Sequence, residues 1–212
     1  MCVDEMGYQY YHGVNNDIHE SIMYHFNYFT ALLTGIFDSF ALITNKKCNI
    51  GLDENKVPFK ISLKKKDFLK KLENEDLKLY QHIMKFSDYI NLIYELRNSV
   101  IHRGIFSQMI IDSLDGWRGS FLKIDLKIFN LIFKIDSKRI IFEGLSEWGL
   151  YENCTDFQCI DMYVLAKRAL KEIVIFSTEY LSLLGYPIIK EKTINNSLNN
   201  SAEILREFGL YH

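Results

Sequence analysis

The chain has 212 residues and a formal net charge of −2 at neutral pH, with 48% hydrophobic and 14% aromatic residues. It is long enough to bury the core of one domain and far too apolar for a disordered segment. Its near-neutral balance excludes a protein that coats nucleic acid through overall charge, so any RNA contact must be local.

The opening stretch, Met1 to Asn16, is acidic, polar and tyrosine-rich, without the basic-then-apolar layout of a secretory signal. No run of about 18 apolar residues marks a membrane span, so no membrane partner is expected and the expected location is the cytoplasm. With two prolines in the chain, long helices can run uninterrupted. The first is predicted from Asp17 to Thr44, where Asp17 and Glu20 form a capping pair. Ile22, Phe26, Phe29, Leu33, Ile36 and Phe40 then recur at helical spacing. Asn45 to Lys60 reads as a loop carrying Gly51 and Pro58, and a short basic helix follows over Ser62 to Leu72.

The next helix starts near Asn74 or Asp76. Leu79, Ile83, Phe86, Ile90 and Ile93 form one stripe, and a further step of four lands on Arg97. A charge in phase with a buried stripe needs a partner or a cavity. Beside it Asn91, Glu95, Asn98 and His102 stack as a polar strip, and the segment closes on Gly104.

Residues 105–158 change character. Leu122, Ile124, Leu126 and Ile128 alternate with polar residues as a strand does, and Phe129 to Ile135, a turn at Asp136 to Lys138 and Arg139 to Phe142 complete a hairpin. A helix through Ile124, Ile128, Leu131 and Ile135 fits the same residues. A last long helix is predicted over Ile160 to Leu184, stopped by Gly185 and Pro187; Asn195 to Ser201 is a polar linker before a short closing helix. The expected organisation is one domain, mainly α: core helices in 17–104 and 159–186, a small β-hairpin insertion at 105–158, and a tail at 187–212.

Cys2, Cys48, Cys154 and Cys159 are scattered, and the one close pair has no zinc-site spacing, so four reduced thiols are expected. His12, His19 and His25 also lack a metal spacing; neither metal nor cofactor is expected. Trp117 and Trp148 are expected to pack the insertion.

The chemistry concentrates in Arg97-Asn98-x-x-x-His102. Arginine is a permanent bidentate donor to phosphate, and histidine exchanges a proton near neutral pH. Given six arginines, six histidines and fifteen asparagines, an Arg-Asn-x-x-x-His run is expected about 0.01 times by chance in this composition. The looser pair Arg206 and His212 sits at the terminus, where fraying is the default. On an ideal helix Arg97 lies about 100° from Asn98 and about 140° from His102, too far round for one narrow cleft. Upstream, Lys56, Lys60, Lys64, Lys65, Lys66, Lys70 and Lys71 crowd into sixteen residues against one acid, Asp67. This is either a solvated helix face or a local field for a polyanion.

Long antiparallel helices with an Arg-Asn-x-x-x-His motif near the end of the third resemble the HEPN superfamily. These are small helical bundles, many of them ribonucleases of toxin–antitoxin, CRISPR-linked and phage-defence systems. The likeness is specific at Arg97, Asn98 and His102 and architectural over Asp17 to Tyr186; the 105–158 insertion is not part of the minimal bundle. The resemblance implies metal-independent RNA cleavage to a 2′,3′-cyclic phosphate at a composite homodimer site. His102 would move protons, Arg97 would hold phosphate charge and Asn98 would orient one of them. Arg103, Lys64, Lys65 and Lys66 are the candidate RNA-binding residues, and an antitoxin protein is a candidate partner. Two other readings compete. One is a non-catalytic HEPN module that binds RNA or a protein. The other is a helical interaction protein with no nucleic-acid role, in which Arg97 pairs with Glu95 or another carboxylate and the helix dipole favours His102 at the C-terminus.

Overall fold

In the computed structural model the described residues are 1–12, 18–53, 60–102, 108–112, 118–136, 146–151 and 158–187. Among them the chain is mainly helical, as expected. The helices are α1 (Cys2–His12), α2 (Ile18–Lys47), α3 (Lys66–Glu75), α4 (Leu77–Lys85), α5 (Ser87–His102), α6 (Leu126–Ile135) and α7 (Met162–Leu183). The strands are β1 (Gln108–Asp112), β2 (Arg118–Ile124), β3 (Leu150–Tyr151) and β4 (Gln158–Asp161).

Aromatic contacts fix how the long helices run. Phe37 of α2 meets Phe176 of α7, and further along both helices the Tyr180 hydroxyl bonds Thr44 and the Phe40 carbonyl, so α2 and α7 are parallel. On the opposite course, Tyr89 donates to the Ala169 carbonyl at 2.7 Å, Phe86 packs on Phe176, and His82 reaches Phe176 and Tyr180. The α4–α5 segment therefore runs against α7, and the three form an up-down-up bundle. Phe26, Phe37, Phe176 and Tyr180 are fully buried at its centre, where each such side chain contributes roughly 1.5–3 kcal/mol.

The structure adds to the sequence reading or changes it at three places. The tyrosine-rich N-terminus is helical: Val3 and Met6 of α1 are buried, and a Cβ on Gly7 would fall 2.9 Å from the Tyr163 hydroxyl oxygen, so glycine lets α1 approach α7. The single helix expected from Asp76 is two. Asp76 caps α4 by accepting from the Leu79 amide, and the chain then leaves α geometry at Phe86 (φ −102, ψ 12) before α5 starts. The apolar stripe survives the break, since Leu79, Ile83, Phe86, Ile90 and Ile93 are all buried.

The third change is the hairpin. Strand β2 stops at Ile124, and Asp125 accepts from the Ile128 amide at 2.9 Å, capping α6. The helical period of Ile128, Leu131 and Ile135 thus prevails over the alternation of Leu122 to Ile128, because a good N-cap sits at the switch. The Arg139 to Phe142 arm lies outside the described residues. The sheet is instead four antiparallel strands in the order β1-β2-β4-β3, with Phe121 opposite Asp161 and Leu150 opposite Ile160.

Leu122, Ile124, Ile128, Ile132 and Trp148 join the same core as the bundle, so the parts of the insertion around them pack onto the helices. Trp148 is buried as expected, and Trp117 lies outside the described residues. Strand β4 passes straight into α7, whose cap Asp161 accepts from the Val164 amide at 2.8 Å. Gly185, at φ 75, ends α7 in a Schellman arrangement: its amide reaches Ser182 and that of Tyr186 reaches Leu181. The linker at 195–201 and the closing helix lie outside the described residues.

Candidate functional site

Helix α5 forms because Tyr89, Ile90, Leu92, Ile93 and Leu96 give it one buried face. Its second half carries the polar groups. The Tyr94 hydroxyl donates to Asp38 Oδ1 at 2.5 Å and accepts from Ser62 Oγ at 3.3 Å, tying α5 to α2 and to the segment before α3. Burial, then the Asp38 bond, push that phenol well above its ordinary pKa. The Lys64 ammonium lies 4.6 Å from the Tyr94 ring centroid, a cation–π contact. Burial lowers the Lys64 pKa; Lys127, Lys65 and Arg97 press the same way, and Glu95 opposes them.

Glu95 is engaged elsewhere than the sequence suggested. It pairs with Lys127 of α6 at 2.8 Å. Arg97 and Asn98 are half-buried on the same helix, and Ser99 is buried. Among the described residues Arg97 has no carboxylate ion pair. Its electrostatic neighbours include Lys64 and Tyr94. His102 is the last residue of α5; its side chain and all of Arg103 lie outside the described residues. The structure therefore carries Arg97 and Asn98 on the second half of one helix, with Lys64 an electrostatic neighbour of Arg97.

The lysine-rich segment has a buried side and an exposed one. Helix α3 buries Phe68 and Leu72, and its other side opens a groove of about 650 Å³. Among the described residues Lys60, Lys64, Lys65, Lys66, Lys70 and Lys71 line it, with Asp67 the one acid. Lys64 belongs both to this groove and to the Tyr94–Arg97 cluster. A surface of this kind can hold a polyanion by several point charges. Tyr94, Ser62, Asp38 and Lys127 are the members that sequence reasoning missed, since each enters through a tertiary contact with no local signature.

Among the described residues no group of three or more His, Cys, Asp and Glu side chains could hold a metal ion. Cys2 and Cys48 are half-buried free thiols, and Cys159 is buried. Burial, then Asp76 and Glu75, raise the Cys48 pKa, so it is no activated nucleophile. Cys154 lies outside the described residues.

Fold and cluster together define a mainly helical protein with a lysine-lined groove, one of whose lysines, Lys64, has a half-buried arginine as an electrostatic neighbour. No family model, no curated protein and no solved structure matches the chain.

Proposed function

We propose that this chain is a metal-independent endoribonuclease of HEPN type, a toxin or phage-defence effector acting as a homodimer. The observation that carries the reading is Arg97: a half-buried guanidinium with no carboxylate partner among the described residues and Lys64 beside it. A phosphodiester is the anion that such a site lacks. The up-down-up bundle with the motif at the end of α5 supports the HEPN-like architecture.

In the proposed reaction a ribose 2′-oxygen bonds to the adjacent phosphorus while the bond to the 5′-oxygen breaks. The 2′-hydroxyl proton goes to one His102, and a second histidine returns a proton to the leaving 5′-oxygen. One chain supplies one such histidine, so two copies are needed. Arg97 holds the charge of the phosphorane and Asn98 orients His102 or the phosphate. Lys64, Lys65, Lys66 and Arg103 contact the RNA backbone, and an antitoxin protein would act by covering this face.

The test is RNA cleavage by the purified chain in EDTA. Arg97→Ala and His102→Ala are each expected to lower the rate by about a hundredfold or more with melting unchanged. Products should end in a 2′,3′-cyclic phosphate. Cleavage undiminished in both variants would overturn the assignment. Salt-sensitive RNA binding without cleavage would select the second reading, a non-catalytic RNA-binding module, which the lysine groove favours.

A further inference from the structure

Between Glu20 and Lys46, helix α2 carries one charged side chain, Asp38, and that one accepts the Tyr94 hydroxyl. The inward half of α2 supplies the core through Phe26, Phe29, Leu33, Phe37 and Phe40. Its outward half is apolar too. Tyr24, Tyr28, Leu32 and Ile36 follow one another at steps of four and are 68%, 49%, 45% and 37% exposed. Single exposed apolar residues are ordinary, but a continuous row is a surface that needs covering. Beside the row runs a shallow trough of about 530 Å³, with Ala31, Gly35 and Ser39 along its floor. Among the described residues a Cβ on Gly35 would meet nothing within 4 Å, so their packing makes no use of that glycine.

A ridge at four-residue steps beside a trough at four-residue steps is complementary to itself, since such rows interdigitate when two helices cross. We propose that this face of α2 pairs with α2 of a second copy, antiparallel, about a two-fold axis between Leu33 and Thr34. That axis sets Leu32 over Gly35, Tyr28 over Ser39, Ile36 over Ala31 and Tyr24 over Ile43 of the other copy. The charged ends select the same geometry. The first turn of α2 carries Glu20 and its last turn Lys46 and Lys47, so the axis that fits ridge to trough also brings each Glu20 beside the other copy's Lys47. A parallel pair would stack like charges at both ends.

A lipid surface fits less well. The stretch His19–Lys47 has the length and mean hydropathy (1.3) of a membrane-crossing helix, and 44% of its apolar window is buried. Its inward half is held by α5 and α7, so it cannot cross a bilayer without dismantling the core. A helix lying on lipid carries basic residues along its polar face, whereas here they sit at one end. The inference goes beyond the proposed chemistry, which requires two copies without saying which surfaces join them, and it stands or falls separately.

The test is the mass of the full chain by sedimentation equilibrium. A dimer is expected at micromolar concentration. Gly35→Leu has room within one chain, so it should keep the helical spectrum and melting temperature while weakening the dimer roughly ten- to hundredfold by crowding the crossing. Glu20→Lys should weaken it as well, and adding Lys47→Glu should restore it. A wild-type chain that stays monomeric at high micromolar concentration, or a dimer indifferent to Gly35→Leu, would overturn the proposal. So would a monomer that co-sediments with phosphatidylcholine vesicles. A dimer that cuts no RNA keeps the interface and removes the ribonuclease reading; a dimer that cuts RNA yet is indifferent to Gly35→Leu does the reverse.

Discussion

Tyr94 decides how the α5 motif is held, because three segments meet on its side chain. Its ring lies near-parallel to Phe37 at 6.3 Å and under Lys64 at 4.6 Å, while its hydroxyl engages Asp38 and Ser62. Tyr94→Phe keeps the ring and both stacking contacts but removes the two hydrogen bonds, leaving the Asp38 carboxylate without its donor at the protein's edge. A hydrogen bond to a charged group is worth more than a neutral one, so a loss of about 1–2 kcal/mol is expected, read as a lower urea midpoint with unchanged slope. The sequence placed Arg97 correctly as a charge that needs explaining, because its phase relative to Ile93 is a local property. It could not assign the partner. Glu95, two residues away, was the natural guess, yet Lys127 takes it, and Lys127 is brought there by a helix that the sequence read first as a strand.

Among elements, those written in a single period were legible. Helices α2 and α7 lie close to their predicted spans because their stripes run unbroken and Gly185 supplies a left-handed stop. The sheet was half legible, since β2 alternates but β3 and β4 are too short for a period to show. Their junction depends on Gly149 at φ 80, where an added Cβ would fall 2.8 Å from the Asp161 carbonyl oxygen. Gly149→Ala therefore meets both a backbone penalty and an immovable neighbour. It should cost about 2–3 kcal/mol by chemical denaturation. The α4–α7 contact adds a pH dependence. His82 donates from Nε2 to the Phe176 carbonyl, sits between Phe86 and Phe176, and turns Nδ1 toward Glu179 at 3.3 Å, a carboxylate that Lys85 also approaches. Burial outweighs the Phe176 bond and Glu179 and lowers its pKa below the ordinary 6.5. The unfolded chain then takes up the proton first. This contribution to stability is complete above 6.5 and is lost as the pH falls below it. Replacing His82 by Phe should flatten that part of the stability–pH curve.

On the scale of the whole molecule, the net charge of −2 conceals a segregated distribution. Among the described residues six lysines share one groove with a single acid, so the local field they set up is positive although the protein is slightly anionic. The crowding of those lysines was plain in the sequence. The approach of one of them, Lys64, to the Tyr94–Arg97 cluster was not, because it depends on Ser62 and Lys64 being drawn onto Tyr94 thirty residues downstream. This arrangement makes a quantitative claim about binding. A solvated helix face contributes little to the salt dependence of RNA affinity, whereas lysines that displace counterions from a single strand each contribute about 0.7 to the slope of log affinity against log salt. Replacing Lys64, Lys65 and Lys66 by glutamine should therefore lower the slope magnitude by about 2, measured by fluorescence anisotropy with a labelled single-stranded RNA. Glutamine keeps most of the side-chain length, and Lys65 and Lys66 are exposed, so folding should be little affected. An unchanged slope with intact affinity would show that RNA does not enter the groove, and would separate the lysine segment from the Arg97 site.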